Sequence, residues 1–131
     1  MINLDTNVLI RLLVDDDMAP QQVIAARARV QSEPSVGIGA SVFLETMWVL
    51  ERSYKYPRSA ISEVASQLLA HAKYQIAQRQ LLTRALEIHR DSSIGFGDAL
   101  ALAQALGSDA ILVTFDRKLA RLEGAEAVST R

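Results

Sequence analysis

The chain has 131 residues, half of them apolar, and its 14 basic and 15 acidic side chains leave a formal net charge of −1. This composition favours one folded domain over residues 1–131 and excludes a disordered chain, which needs low hydrophobicity and a high net charge. The absence of cysteine excludes disulfides, thiolate nucleophiles and cysteine-based metal sites.

Short apolar runs alternate with segments that have helical spacing of their apolar residues. The predicted strands are residues 2–4, 36–39, 74–76, 110–114 and 125–128. The predicted helices are residues 6–13, 21–31, 42–54, 58–72, 80–89, 99–106 and 117–122, with Gly107 just past the end of the sixth. Strands that are apolar throughout and alternate with helices predict an α/β fold, in which helices cover both faces of a parallel sheet.

Four acidic residues occupy related positions in this pattern. Two aspartates follow the first and fourth strands, a glutamate falls in the first turn of the helix after the second strand, and a third aspartate opens the helix before the fourth strand. In βαβ units the carboxyl ends of the strands and the starts of the next helices share one edge of the sheet, where α/β folds bind ligands. The sequence therefore predicts one cluster of four acids: Asp5, Glu45, Asp98 and Asp116.

Helix capping is the alternative interpretation of the three aspartates, since each lies where a helix begins. Glu45 fits capping less well, because a capping box that starts at Ser41 would place the acid at position 44. A carboxylate at position 45 is also unexpected on a mostly apolar helix. Four independent caps are therefore the weaker explanation.

Carboxylates gathered at one place require a cation, because two of them about 4 Å apart repel by about 4 kcal/mol at an effective dielectric constant of 20. Oxygen ligands favour Mg²⁺, with Mn²⁺ as the alternative, and such an ion can activate a water and stabilise the leaving oxygen of a phosphodiester. Asn7, two residues after Asp5, and Thr114, two residues before Asp116, are candidates to orient the carboxylates or the attacking water.

The segments that carry the four acids are LDTNVLI at 4–10, SVFLE at 41–45, GFGDALA at 95–101 and TFDRKL at 114–119. In their order and spacing they resemble a PIN-domain ribonuclease, and in particular the VapC-type toxins of bacterial type II toxin–antitoxin systems. The resemblance covers nearly the whole chain. It implies a three-layer fold with a central parallel sheet of about five strands flanked by helices.

The resemblance also implies an Mg²⁺- or Mn²⁺-dependent endoribonuclease, a homodimer, and inhibition by a cognate VapB-type antitoxin protein. The family's catalytic, metal-binding acids match Asp5, Glu45, Asp98 and Asp116, and its supporting polar positions match Asn7 and Thr114. The family includes enzymes that cleave transfer RNA and others that cleave ribosomal RNA, so the resemblance leaves the target open.

Other enzyme classes also gather acids at a sheet edge. Residues 4–8 are similar to the Asp-x-Asp opening of haloacid-dehalogenase-like phosphatases, but Asn7 stands where the second acid would be the general acid. A response-regulator receiver needs an aspartate after the third strand, where this chain has Ala77 and Gln78. The non-enzymatic alternative is a PIN-fold binding module without catalysis, and the complete set of four acids argues against it.

Basic, aromatic and histidine residues outside the acidic positions each have more than one interpretation. Arg117 and Lys118, next to Asp116, are candidate contacts to the RNA backbone, which fix register without reading sequence. Trp48 lies in the most aromatic segment, which core packing, an antitoxin groove or a dimer contact would each explain. His71 and His89 are expected at the surface or in packing.

The start of the chain and its charge also bear on where it acts. The first residues lack the basic stretch and apolar core of a signal peptide, and no run approaches the ~20 apolar residues of a membrane span. We therefore expect a cytoplasmic protein with no membrane partner. Because the net charge is near zero, contact with RNA would depend on a local group of basic residues.

Overall fold

The structure, a computed structural model, describes residues 1–130, so Arg131, the last residue of the predicted domain, lies outside it. Five strands and seven helices follow one another in these residues. They are β1 (Ile2–Asn3), α1 (Thr6–Leu13), α2 (Pro20–Gln31), β2 (Val36–Ile38), α3 (Ala40–Arg52), α4 (Arg58–Ala70), β3 (Tyr74–Ile76), α5 (Arg79–Arg90), α6 (Phe96–Gly107), β4 (Leu112–Thr114), α7 (Arg117–Ala120) and β5 (Ala125–Ala127). No helix in this part of the chain is long and apolar enough to cross a membrane.

The first compact unit, Met1–Gln78, contains a three-stranded parallel sheet in the order β1-β2-β3. β2 is the central strand, with Val36 aligned with Ile2 on one side and Tyr74 on the other, and all its residues are buried. Helix α1 packs against α2 and α3, and α3 packs against α4. Large core side chains of this unit are Leu9, Ile10, Val36, Ile38, Phe43, Met47, Leu50 and Ile61.

The second compact unit begins at Arg79 and contains a two-stranded parallel sheet, β4-β5. Helix α7 connects these strands and contacts both of them, while α5 and α6 pack closely along each other. The helical pairing buries an apolar interior because α6 carries few polar side chains. Core side chains of this unit are Leu82, Ala85, Leu86, Ala99, Leu102, Ala103 and Leu119.

The predicted α/β architecture with parallel strands is confirmed, since all three strand pairings are parallel. The prediction of one central sheet of about five strands is corrected to two sheets, with three strands in the first unit and two in the second. Alternating strands and helices predict parallel pairing. They do not specify which strands share hydrogen bonds, because that choice depends on contacts between segments distant in the sequence.

The junction of α6 and β4 also differs from the prediction. Gly107 remains inside α6, and the residue with a left-handed backbone is Asp109, at φ 54°. The Ala110 N–H donates to the Ala105 carbonyl at 2.9 Å, so residue 110 closes the helix. For this reason the strand begins at Leu112 and not at residue 110.

Strand β4 is more exposed than its apolar sequence predicts. Val113 at its centre is 59% exposed, and Ile111 and Phe115, which flank the strand, are 65% and 72% exposed. The expectation that helices bury every strand on both faces holds for β2 and fails for β4, which is hydrogen-bonded to β5.

Candidate active site

Asp5 connects β1 to α1 and caps the helix. Its backbone is extended (φ −86°, ψ 174°), and its Oδ1 accepts a hydrogen bond from the Val8 N–H at 3.0 Å. The preceding residue, Leu4, is tied to β2 because its N–H donates to the Gly37 carbonyl at 3.0 Å. The cap and the sheet together hold an exposed carboxylate at the carboxyl end of β1.

Glu45 lies on α3, but in the second turn and not in the predicted first turn. The helix begins at Ala40 because Gly39 is the N-cap, with an extended backbone and a carbonyl that accepts from the Phe43 N–H at 3.0 Å. Although α3 is mostly apolar, the Glu45 side chain is exposed, which explains how an unpaired carboxylate is accommodated there. It forms no hydrogen bond or ion pair with any residue in the described range 1–130.

Asp98 is the third residue of α6 and does not cap it. The N-cap is Gly95, and the exposed Asp98 side chain makes no hydrogen bond within residues 1–130. The loop before the helix is braced by buried His89, whose Nδ1 lies 3.1 Å from the Ile94 carbonyl oxygen and whose ring is 5.8 Å from that of Phe96. His89 thus has the packing position expected for it, below the start of the helix that carries Asp98.

Asp116 follows β4 and caps the short helix α7. Its Oδ1 accepts from the Leu119 N–H at 2.9 Å, and its carbonyl accepts from the Ala120 N–H at 3.0 Å. The side chain is exposed. Capping therefore describes Asp5 and Asp116 correctly. Asp98 is not a cap, but it lies in the first turn of α6, where a negative charge complements the helix dipole, and Glu45 does neither. A cap uses one carboxylate oxygen, so it leaves the second oxygen of each capping aspartate available for another contact.

The two polar residues expected to support the acids differ in what they contact. Thr114 ends β4, and its Oγ1 accepts a hydrogen bond from the Asp116 N–H at 3.0 Å. This bond fixes the backbone from which the Asp116 carboxylate projects. Asn7 is the second residue of α1, and its exposed side chain makes no hydrogen bond with residues 1–130, so its supporting role stays a prediction.

Arg117 and Lys118 begin α7 directly after Asp116. Both side chains are exposed, and neither forms an ion pair with another described residue. They are therefore available to bind phosphate.

Arg11, the basic residue that follows the motif at 4–10, takes part in a partly buried hydrogen-bond network of the first unit. Its Nη1 donates to the Tyr54 hydroxyl at 3.1 Å and lies 3.4 Å from Asp16 Oδ2. The Tyr54 hydroxyl donates to the same Asp16 oxygen at 2.7 Å. This hydrogen bond, followed by one from the Met18 N–H, lowers the pKa of Asp16 from its ordinary value of 3.8, and the bond to Asp16 raises the pKa of Tyr54. We name Arg11, Asp16 and Tyr54 the tyrosine clasp, which joins α1 and the loop after it to the segment that follows α3.

Trp48 is exposed, which the sequence had left undecided. It is 55% accessible, whereas its neighbour Met47 is buried in the core. The guanidinium carbon of Arg52 lies 5.1 Å from the centre of the indole ring, a cation–π contact. The helical spacing of positions 45, 48 and 52 is the sequence signal that could have placed this pair on the same face as Glu45.

The four predicted acids are divided between the two compact units. Asp5 and Glu45 belong to the first unit, and Asp98 and Asp116 belong to the second. Within the described residues, no group of three or more His, Cys, Asp or Glu side chains is arranged to hold a metal ion. The predicted cluster of all four acids therefore stays a prediction.

The donor chemistry of the four residues suits a hard divalent cation. All four carboxylates are exposed, and none is neutralised by a lysine, arginine or histidine within residues 1–130. Carboxylate oxygens are the ligands that Mg²⁺ and Mn²⁺ prefer. Two of the four are also held in place by their own hydrogen bonds to a helix start.

The sequence and the structure were compared with known protein families and solved structures. A family model for the PIN domain matches residues 2–125. No curated protein matches the sequence significantly. Among solved structures, the chain is similar to the Mycobacterium tuberculosis toxin VapC20, described as cleaving the sarcin-ricin loop, with 21% identity, a TM-score of 0.45, and coverage of 92% of this chain and 93% of that one. It is also similar to a chain of a Klebsiella pneumoniae toxin–antitoxin complex, with 19% identity, a TM-score of 0.35, and coverage of 98% and 95%.

Proposed function

The chain belongs to the PIN-domain family, and we propose that it is an endoribonuclease that depends on Mg²⁺, or alternatively Mn²⁺, and acts as the toxin of a toxin–antitoxin pair. The observation that carries this proposal is the set of four exposed carboxylates without basic partners, on the four motifs that resemble the family's. Asp5, Glu45, Asp98 and Asp116 are assigned to one catalytic, metal-binding site.

The side chains contribute in different ways to this chemistry. Asp5 and Asp116 are oriented by the N–H groups that they cap, and Thr114 fixes the backbone of Asp116. Glu45 and Asp98 supply charge without a competing partner. A bound Mg²⁺ or Mn²⁺ supplies positive charge that stabilises the phosphodiester as it gains negative charge, and it makes a nearby water more acidic.

Arg117 and Lys118 are proposed to hold the RNA backbone beside Asp116. Their exposed, unpaired side chains fit phosphate contacts, which contribute affinity without reading bases. Because the net charge of the chain is only −1, contact with RNA depends on a local group of basic residues such as this one. Such binding weakens as salt concentration rises.

The partners follow from the motif resemblance. We propose a VapB-type antitoxin protein as the inhibitor and a homodimer as the assembly, with transfer RNA as the first substrate to examine. A toxin role predicts that induced expression of the wild-type chain arrests bacterial growth and that co-expression of the antitoxin restores it. Growth arrest that persists in a cleavage-deficient variant would refute the link between toxicity and RNA cleavage.

Cleavage is tested on purified protein with 5′-labelled transfer RNA. We expect the wild type to cut in Mg²⁺ or Mn²⁺ and to stop on addition of EDTA. Asp98→Asn should abolish cutting while it leaves folding unchanged, because Asp98 makes no hydrogen bond within residues 1–130. The matched control is Asp109→Asn, since Asp109 is an exposed aspartate of the same unit whose left-handed backbone asparagine tolerates.

Glu45→Gln has an equally close control in Glu51→Gln, an exposed glutamate on the same helix. We expect Glu45→Gln to lose cleavage and Glu51→Gln to keep it. Equal cutting by Asp98→Asn and the wild type would indicate a contaminating nuclease. A folded wild type that binds RNA and never cuts it would favour the alternative function, a PIN-fold binding module without catalysis.

A further inference from the structure

One face of α3 carries a continuous row of exposed side chains. The row contains an acid, an aromatic ring and a base at helical spacing, and the core-facing side of the same helix is opposite to it. We name this row the α3 stripe. Its members are Ser41, Glu45, Trp48 and Arg52.

The aromatic member of the α3 stripe is held in a defined position. Trp48 lies one turn after Glu45, so their Cβ atoms are about 5–6 Å apart. Arg52 lies over the indole with its guanidinium carbon 5.1 Å from the ring centre, yet Trp48 remains 55% exposed. An exposed tryptophan side chain otherwise rotates freely. The cation–π contact favours one orientation of the ring and leaves more than half of the side chain accessible.

The polar groups of the pair are also available. The Trp48 indole N–H makes no hydrogen bond, and Arg52 makes no ion pair, with any residue from 1 to 130. A guanidinium presents several N–H donors in a planar fork, which matches the oxygens of a phosphate. The pair therefore offers a π-face for a base and cationic donors for the adjoining backbone.

We propose that Trp48 and Arg52 form a binding site for one unpaired base of single-stranded RNA, with the base stacked on the Trp48 indole and Arg52 bonded to a neighbouring phosphate. This inference rests on the proposed function, since it makes the α3 stripe the place where the strand approaches Glu45. Proteins that bind single-stranded RNA combine aromatic stacking with cationic groups in this way. Trp48 would then influence which phosphodiester is cut.

The surroundings of Trp48 favour RNA over a protein partner. The core of a protein interface is enriched in Trp and Arg but depleted in Glu. The acids Glu45 and Glu51 are both exposed beside Trp48 on α3. A second copy of the chain, or an antitoxin, would have to bury these charges to reach the ring.

Trp48 is the only tryptophan of the chain, so its fluorescence reports on this site directly. The probe is a single-stranded RNA 12-mer of mixed sequence, added to the wild-type protein in EDTA, with RNA integrity checked on a gel afterwards. We expect saturable quenching by this RNA and little quenching by an abasic ribose-phosphate chain of the same length. Equal quenching by the abasic chain would overturn base stacking.

Variants separate the ring from the charge, with binding measured by the anisotropy of fluorescein-labelled RNA. Trp48→Leu should weaken binding about ten-fold, and Trp48→Phe, which keeps a π-face, should recover part of the loss. The matched control is Ile24→Ala, which truncates another exposed apolar side chain, on α2. Arg52→Gln should reduce the slope of log K against log salt by about 1, as expected for one lost phosphate contact.

Thermal melting of each variant shows whether it is folded, and light scattering shows its mass. A Trp48→Leu protein that binds the 12-mer like the wild type overturns the proposal, and cleavage of RNA by the wild type in Mg²⁺ would leave the proposed function intact. If Trp48→Leu instead turns a wild-type dimer into a monomer, the residue belongs to an interface between copies and the proposal is wrong. A wild type that neither binds nor cuts RNA refutes both.

Discussion

Asp5 combines two roles that one pair of substitutions can separate, because its Oδ1 caps α1 while its charge is proposed to serve the metal site. Asparagine retains a side-chain oxygen that can accept from the Val8 N–H, and it is as good an N-cap as aspartate. Alanine removes both the cap and the charge. Asp5→Asn should therefore lose catalysis alone, and Asp5→Ala should lose catalysis and stability.

The stability change follows from a single hydrogen bond. Loss of an N-cap side chain costs about 1 kcal/mol. Because α1 is short and its residues Leu9 and Ile10 lie in the core, fraying at its start would also weaken core packing. For a chain of this length, about 1 kcal/mol lowers the melting temperature by about 4 °C. Asp5→Asn should stay within about 0.5 kcal/mol of the wild type, because it loses only the interaction of a charge with the helix dipole.

Urea unfolding and cleavage of labelled RNA are measured on the same preparations. Asp98→Ala is the reference, since it removes a predicted active-site charge from the first turn of a helix without removing a cap, and it should also stay within about 0.5 kcal/mol of the wild type. Equal destabilisation by Asp5→Asn and Asp5→Ala would refute the assignment of the cap to a hydrogen bond. Full cleavage by Asp5→Asn would remove Asp5 from the active site.

Millimolar Mn²⁺ should raise the melting temperature, because binding at a hundredfold excess over the dissociation constant adds about 2.7 kcal/mol, and Asp98→Asn should lose most of that shift in a thermal melt. The lowered pKa of Asp16 means that its stabilising effect is present above pH 3.8 and is lost as the pH falls through the lower folded value. Asp16→Asn should therefore be less stable than the wild type at pH 7, and the difference between their urea midpoints should shrink below pH 4. A difference that does not change with pH would exclude a stabilising role for the ionised Asp16 carboxylate in the tyrosine clasp. Gly124→Ala should cost more than about 1 kcal/mol in urea unfolding, because Gly124 has φ 93° and an added Cβ would collide with the Leu106 side chain. Gly107→Ala, a helical position with open space around it, should be neutral or stabilising by up to about 1 kcal/mol, and similar losses in both variants would contradict this account.

The order and type of the elements could be predicted because they depend on local patterns. Apolar spacing predicted α1 with both of its ends, and it predicted β3 with both of its ends. Errors occurred where a backbone hydrogen bond moved a boundary. Gly39 starts α3 early enough to shift Glu45 into the second turn, and Asp109, in place of Gly107, supplies the left-handed residue that ends α6. No single residue type specifies uniquely where a helix begins or ends.

Burial was harder to predict than secondary structure. The sequence of β4 is as apolar as that of β2, yet Val113 is exposed and Val36 is fully buried. Trp48 shows the same limit, since an aromatic residue beside core positions is compatible with either side of a helix. Exposure depends on what packs against an element, and that information is spread over segments far apart in the chain.

The amino-acid sequence alone determined the alternation of strands and helices, the positions of the four acids at strand ends and helix starts, and the likeness to the PIN-domain family, because each of these depends on residues close together in the chain. Only the tertiary structure decided that the five strands form sheets of three and two, and that Trp48 faces solvent under Arg52. It also decided that Asp5 and Asp116 are N-caps, whereas Asp98 and Glu45 are not. Strand pairing and the exposure of Trp48 depend on packing between elements distant in the chain, which no local pattern specifies. The caps are local, since each bond spans three residues, but which acid makes one depends on where its helix begins.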